Sequence, residues 1–436
     1  MQIEHQCPQC GGPVTLEETD RILQCNFCKT RLYIQPKDYF RYCFPSSAAV
    51  NEEIIYVPYW RFRGMSFKCR TSGIINTLID KTFIAIEDKS FPDTLGVRPQ
   101  SLNLRFAQKK EQERYLEPKI SFSMSSVQTD DRLLDAILAI HDTKPALFDF
   151  GGTQDEAGLT IAKLNEDKLY YESFVAEKIS LIYTPFFVRD NRFYDAVTGN
   201  PLSVSCNPAT LQGPLSDGNW DMRFLPTLCP QCGSDLTSEQ DSCVLVCNNC
   251  DTCWQASNQG DLRTVEYAVM TPANPNPKNL FLPFWKIKAS IDGMKLQSYG
   301  DLLKLSDLPM FVKCDRKESD LCFWTPAFKI ASPIFLRTAH RMTLSNPERE
   351  TRKELRDASL YPANVPLSEA VGNLKVVLLD MMLKKQDILP QLEKITITPA
   401  ESLLVFYPFL DTGYELTDQE LKCGIMKNAL KWGPNL

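Results

Sequence analysis

The stretch that decides the fold is Cys7-Pro8-Gln9-Cys10-Gly11, joined across fourteen intervening residues to Cys25-Asn26-Phe27-Cys28. A second copy begins 222 positions on, as Cys229-Pro230-Gln231-Cys232-Gly233 and Cys247-Asn248-Asn249-Cys250, with the same fourteen-residue interval. A Cys-x-x-Cys turn aims two sulfurs at one point, and two such turns close a tetrahedron around Zn²⁺. The spacing marks Cys7, Cys10, Cys25 and Cys28 as one metal site and Cys229, Cys232, Cys247 and Cys250 as another, two zinc ions per chain. Structural or redox disulfides are the alternative use of these cysteines. The copies test each other, because half of the positions from Cys7 to Cys28 recur ungapped, including Thr15/Thr237, Glu17/Glu239 and Leu23/Leu245.

The duplication extends beyond the metal sites. Pro58-Tyr59-Trp60-Arg61-Phe62-Arg63 returns as Pro283-Phe284-Trp285-Lys286-Ile287-Lys288, a shared pattern of Pro, aromatic, Trp, cation, apolar, cation. The apolar stretch Ala176 to Phe186 returns as Ala400 to Phe409, and Pro185 and Pro408 lie 223 apart. A period this long exceeds that of solenoid repeats and points to a duplicated domain pair. The expected fold is α+β, with two pseudo-repeats that each place a four-Cys ribbon before a β-rich domain. The expected boundaries are 1–36 and 222–260 for the ribbons and 50–206 and 278–436 for the β-rich domains.

The Cys-Pro-Gln-Cys-Gly opening of both copies resembles the rubredoxin-like zinc-ribbon class. That resemblance covers only the ribbons, and it implies a four-thiolate site and a small fold held by its metal. Such ribbons serve transcription factors, enzymes and scaffolds alike, so the class implies a fold and not a function. The glycine that commonly follows the second iron knuckle is replaced here by Lys29 and Asp251, which favours zinc over iron.

Local patterns set further expectations. Val14-Thr15-Leu16 and Arg21-Ile22-Leu23-Gln24 read as one short hairpin. Trp60 to Arg63 has the period-2 alternation of a half-buried strand, and Gly64 reads as a turn or bulge. Leu133, Leu134, Ile137, Leu138 and His141 suit an amphipathic helix, and Leu367, Val371, Leu374, Leu378 and Met381 a longer buried one. Thr417-Asp418-Gln419-Glu420 fits a capping box that would open a helix running to Leu430, whereas Tyr194 to Gly199 reads as a hairpin. Linkers are expected at 207–220 and at Thr271 to Pro277, the latter between ribbon two and its β-rich partner.

Composition narrows the function classes. The chain has 436 residues, 43% hydrophobic and 23% charged, enough for several domains with real cores. Its net charge of −6 argues against a general nucleic-acid binder. The opening Met1-Gln2-Ile3-Glu4-His5 lacks the regions of a signal peptide, so none is expected. No apolar run reaches the roughly eighteen residues that a membrane helix requires. With eight of sixteen cysteines in Cys-x-x-Cys pairs, a reducing cytoplasm and bound metal are expected.

Individual residues offer little chemistry outside the clusters. Cys243 and Cys253 read either as buried thiols or as a redox switch, and Cys43, Cys69, Cys206, Cys314, Cys322 and Cys423 as buried thiols. His5, His141 and His340 have no ligand or nucleophile partner in the sequence, and the common nucleotide, hydrolase and metalloprotease motifs are absent. Arg61/Arg63 and Lys286/Lys288 read as solvated sheet faces or as cationic strips, and Trp60 and Trp285 as core residues or as exposed anchors. The expected function is a non-enzymatic scaffold or adaptor that binds another protein through the unlike middles near 92–165 and 310–395. A nucleic-acid-associated ribbon factor is the alternative, followed by a redox-responsive metalloprotein or an enzyme.

Overall fold

A computed structural model describes residues 1–47, 53–108, 113–122, 167–190, 192–205, 215, 216, 220, 222–257, 260–306, 319–356, 358–418, 421 and 423–431. The expected helix from Leu133 to His141, most of the 207–220 linker, Cys206 and Cys314 lie outside the described residues.

The first half opens with β1 (Gln2–Gln6), β2 (Pro13–Glu17), β3 (Ile22–Gln24), β4 (Arg31–Pro36) and β5 (Phe40–Cys43). Two long strands dominate it, β6 (Ile54–Arg70) and β10 (Leu169–Arg189), with β7 (Gly73–Ile84), β8 (Leu104–Phe106) and β9 (Glu113–Tyr115) between them in sequence. The half closes with β11 (Arg192–Asp195) and β12 (Pro201–Ser205). Aromatic and β-branched residues fill β6, which suits a pleated surface packed on neighbours. It is buried along nearly its whole length, not on one face as its alternation suggested. The reason is that both of its faces are covered. Trp60 meets Tyr39 and Phe122 on one side, while Arg61 turns to Glu18 and Asp80 on the other.

The second half repeats this plan with β13 (Met222–Pro226), β14 (Leu245–Cys247), β15 (Thr252–Ala256), β16 (Leu262–Val265) and β17 (Tyr267–Met270). Its long pair is β18 (Asn279–Asp292) and β22 (Thr396–Asp411), accompanied by β19 (Cys322–Pro326), β20 (Thr351–Arg352) and β21 (Ser359–Leu360). It ends in β23 (Glu415–Asp418) and β24 (Cys423–Met426). The strand before the Pro-rich stretch at Thr271, β17, already lies in the second sheet, parallel to β22.

Register establishes the pseudo-repeat. In the antiparallel β6/β10 pair, Trp60 faces Leu181 and Tyr56 faces Pro185; in β18/β22, Trp285 faces Leu404 and Phe281 faces Pro408. Each Trp indole N–H donates to a carbonyl far along the chain, Trp60 to Ile120 at 2.7 Å and Trp285 to Val365 at 2.9 Å. The carbonyls of Pro58 and Pro283 accept from the N–H groups of Ala85 and Ala327, both at 2.9 Å. A bulge interrupts both long pairs at one place. Ala176 and Glu177 oppose Gly64 alone, and Ala400 is the extra residue between Pro399 and Glu401. Gly64 is thus a bulge partner, as its sequence suggested. A Cβ there would lie 3.3 Å from the Glu177 Cα.

Three local expectations change. Val14–Leu16 and Ile22–Gln24 do not pair with each other. Strand β2 pairs with β1 and β3 with β4, so each hairpin spans one Cys-x-x-Cys turn. The Thr417 capping box opens no helix, because Glu415–Asp418 pairs with Cys423–Met426 and only Lys427–Lys431 is helical. That hairpin is the counterpart of β11/β12, so repeat topology overrides the local cap signal. The long helix from Leu367 breaks into Leu367–Gly372 and Leu374–Met381.

The break joins the halves. Asn373 Nδ2 donates to the Phe174 carbonyl at 2.7 Å, and its Oδ1 accepts from Ser173 Oγ at 2.7 Å. At the β10 bulge Ala176 takes φ 58°, and its N–H turns out of the ladder to Glu369 Oε2 at 2.6 Å. One apolar core runs across this joint, and in it Phe67 packs on Phe335 of the helix Ser332–Ser345. The described part of the second unlike middle, 319–395, contributes many residues to this core. Truncating Phe67 to Ala would cost about 3–5 kcal/mol.

Candidate metal centres

Each ribbon builds its site from two turns of matching shape. Gly11 and Gly233, directly after the first pair, have φ 73° and 74°, a conformation that glycine adopts without strain. Their N–H groups donate to the carbonyls of Cys7 and Cys229, both at 2.8 Å. Lys29 and Asp251 follow the second pair in the same left-handed region, so the turn keeps its shape without its usual glycine. Behind the sulfurs stands a hydroxyl that the sequence reading missed. Thr30 Oγ1 lies 3.2 Å from Cys28 Sγ, and Thr252 Oγ1 lies 3.2 Å from Cys250 Sγ. Its signal was present, since Thr recurs two residues after the last cysteine of both copies.

The eight predicted ligands gather as two groups of four, with the sulfurs of each group within 4.8 Å of one another. Cys7 and Cys28 lie 3.7 Å apart and Cys10 and Cys25 3.6 Å, while Cys229 and Cys250 lie 3.6 Å apart and Cys232 and Cys247 3.5 Å. A tetrahedral metal with bonds of about 2.3 Å places its sulfurs about 3.8 Å apart, whereas a disulfide holds them at about 2.0 Å. The clusters fit a metal.

Thiol electrostatics point the same way. Hydrogen bonds pull one sulfur in each cluster down, Cys28 to about 6 by Thr30 and Cys232 to about 5 by Ser234. Others are driven up against a hydrogen bond of their own. Despite the Gly12 N–H, Cys10 reaches about 11, and despite Thr252, Cys250 reaches about 12, through desolvation and neighbouring thiols. In each cluster a lowered thiol thus sits beside a raised one, and a divalent cation would hold all four sulfurs as thiolates. In each cluster one cysteine from each turn is buried, Cys7 and Cys25 in the first and Cys229 and Cys247 in the second.

The ribbons then diverge. Ribbon two is tied to its own half: Arg356 donates to the carbonyls of Asn248 and Asn249, both at 2.8 Å, and Asp251 Oδ1 accepts from the Leu355 N–H at 2.9 Å. Ribbon one has Phe27 where ribbon two has Asn249, and that ring is 65% exposed. The ribbons also share strands and core. Strand β13, which leads into ribbon two, extends the β3/β4 sheet of ribbon one, and Ile22 and Tyr33 pack with Leu236, Leu245 and Trp254.

The remaining candidates take structural roles. Arg61 is 1% exposed and is held by Asp80 at two 2.9 Å bonds and by Glu18 at 2.8 Å. Neither a solvated face nor a cationic strip, it fastens ribbon one to the sheet. Lys286 lies over the Trp324 ring at 5.4 Å, and Lys288 pairs with Asp320 at 2.7 Å. Trp60 and Trp285 are core residues. His5 stacks on Phe224, and burial lowers its pKa. His340 gains the partner its sequence neighbours did not reveal, with Nδ1 3.0 Å from Asp380 Oδ2. Cys243 and Cys253 are both 1% exposed and outside the clusters, and burial pushes them up to about 11 and about 12. Cys43, Cys69, Cys322 and Cys423 are buried as expected.

Comparison with protein-family models, curated proteins and solved structures returned no match. Among the described residues no helix is long and apolar enough to cross a membrane.

Proposed function

We propose that the chain is a zinc-stabilised, non-enzymatic adaptor that holds another protein in the cytoplasm, where its free thiols would stay reduced. Zinc suits both clusters because four thiolates complete its tetrahedral shell and leave no position for substrate. The observation that carries the adaptor reading is the asymmetry of two like ribbons. Ribbon two spends its knuckle on Arg356 and Leu355, while ribbon one keeps its knuckle, with Phe27, at the surface. An exposed aromatic beside a rigid metal turn is the kind of anchor that protein interfaces use.

The test is purification of the full chain at native abundance from its source cells, with identification of what co-purifies and a salt titration of the complex. The adaptor reading expects a stoichiometric protein partner that tolerates moderate salt. Nucleic acid released steeply with salt would replace it with the ribbon-factor reading.

A further inference from the structure

Ribbon one contains a slot that ribbon two has closed. In ribbon two, Thr237 and Val246 exchange backbone bonds, Thr237 N–H to the Val246 carbonyl at 2.8 Å and the reverse at 2.9 Å. The corresponding residues of ribbon one, 222 positions earlier, are Thr15 and Gln24. No bridge joins these two, and β2 and β3 share no ladder among the described residues. Between them lies a cavity of about 340 Å³ lined by Pro13, Val14, Thr15, Gln24, Asn26 and Gln240. That volume falls at the small end of ligand sites, which run from about 300 to 1,000 Å³.

The outer edge of β3 already accepts main chain. The N–H groups of Arg21 and Ile22 both donate to the carbonyl of Gln240, at 2.7 and 3.0 Å, across the contact between the ribbons. N–H groups two apart on a strand point to the same side, so Gln24 offers its N–H along the same edge, away from β4. The slot thus continues an established interface. In ribbon two the Thr237 backbone itself closes on Val246. Phe27, whose ring lies on Gly12, stands next in sequence to the lining residue Asn26 and offers exposed apolar surface on the same ribbon turn.

We propose that this slot binds an extended segment of a partner protein, which adds its backbone to the outer edge of β3 and lays an apolar side chain on Phe27. This is β-strand addition, with affinity drawn from main-chain hydrogen bonds. The proposal rests on the adaptor reading and names its working surface. The lining carries no formal charge, so the segment is recognised by backbone and shape, not by charge pairing.

The probe is a phage library of random linear peptides panned on the full, metal-loaded chain, with selected peptides measured by fluorescence anisotropy and by amide hydrogen exchange. Bound peptides should slow exchange at residues 14–15 and 22–26. Gln24→Ala keeps the edge N–H and should bind like the wild type. Gln24→Pro removes that N–H without touching the β3/β4 ladder, and should weaken binding about tenfold. Thr15→Trp, which fills the slot without altering the backbone, should give the same loss if the proline variant fails to hold its metal. Failure to select any peptide overturns the proposal, as does protection elsewhere or equal binding by Gln24→Ala, Gln24→Pro and Thr15→Trp. If the slot variants keep the native co-purifying protein, the slot is wrong and the adaptor reading stands. If the wild type retains no protein at all, the adaptor reading itself fails.

Discussion

Lys29 and Asp251, 222 positions apart, share a left-handed backbone, at φ 63° and 52°, in the turn that closes each metal site. Their side chains are used differently: Asp251 Oδ1 accepts from the Leu355 N–H, whereas the Lys29 side chain makes no hydrogen bond or ion pair among the described residues. Left-handed backbone costs a side-chain-bearing residue about 1–2 kcal/mol. Lys29→Gly should therefore raise stability by up to about 1 kcal/mol, read as a higher melting temperature with unchanged metal content. Asp251→Gly relieves the same strain but gives up a hydrogen bond of about 0.5–1.5 kcal/mol, so it should show no gain. Equal gains at both positions would contradict the anchoring of ribbon two.

Elemental analysis of protein purified without added metal should give two zinc per chain and little iron. Cys10→Ser and Cys232→Ser should each remove one equivalent, because each leaves a three-thiolate set. Metal binding supplies about 10 kcal/mol or more of folding energy in small zinc modules, so both losses should be severe. Cys232→Ser should also expose the segment around Leu355 and Arg356 to protease, since those residues hold the ribbon-two turn. A single zinc in the wild type would refute the two-site reading.

Arg61 should be among the most sensitive polar positions. With Glu18 it forms a buried pair, 1% and 3% exposed at the side chains. Arg61→Ala leaves buried Glu18 with only the longer Arg63 contact at 3.6 Å and removes the partner of Asp80, and should cost up to about 3–5 kcal/mol by denaturant unfolding at neutral pH. Burial works to raise the Asp80 carboxyl, but Arg61 outweighs it and holds the group below its ordinary range. That stabilisation is present above the ordinary carboxylate range and is lost as pH falls through the depressed value, so the gap to wild type should narrow on acidification.

Glu369 has the opposite sign. Burial, with repulsion from Glu177, raises it to about 7 against the pull of Arg21, the Ala176 N–H and Lys178. The folded chain then holds this proton more tightly than the unfolded one, and stability falls as pH rises from the ordinary carboxylate value to about 7. Glu369→Gln retains an acceptor for the Ala176 N–H. It should flatten that pH dependence and raise the melting temperature at pH 8 (about one pH unit above the raised value). A profile unchanged from the wild type would show that Glu369 does not carry the proton.

Cys243 and Cys253 should resist alkylation in the native chain. Both are buried and both are held well toward the thiol form, the opposite of a reactive cysteine. Mass mapping after brief iodoacetamide treatment of the metal-loaded protein should find them unmodified. Rapid labelling at either residue would revive the redox reading.

Metal chemistry and repetition were legible in the chain because they depend on short-range spacing. A Cys-x-x-Cys turn is a local geometry, and two copies at one interval state both the ligand set and the duplication. The Trp60 and Trp285 strands followed from the same internal comparison, and the Gly64 bulge from a glycine set inside a strand pattern. Tertiary structure decided what each residue faces. Nothing near Arg61 in sequence announces Glu18 and Asp80, which arrive from a ribbon and from a neighbouring strand. The capping signal at Thr417 lost to hairpin pairing, since a cap contributes about 1 kcal/mol and a strand gains a ladder and a core. The open slot at Thr15 and Gln24 was also hidden, because ribbons of the same Cys spacing differ there in their contact with each other: β13 pairs with β4, and the Gln240 carbonyl caps the edge of β3. Sequence alone specified the metal turns and their repetition, which are local; the folded chain decided which ribbon is anchored and which stays open, because that depends on residues about 100 and 200 positions away.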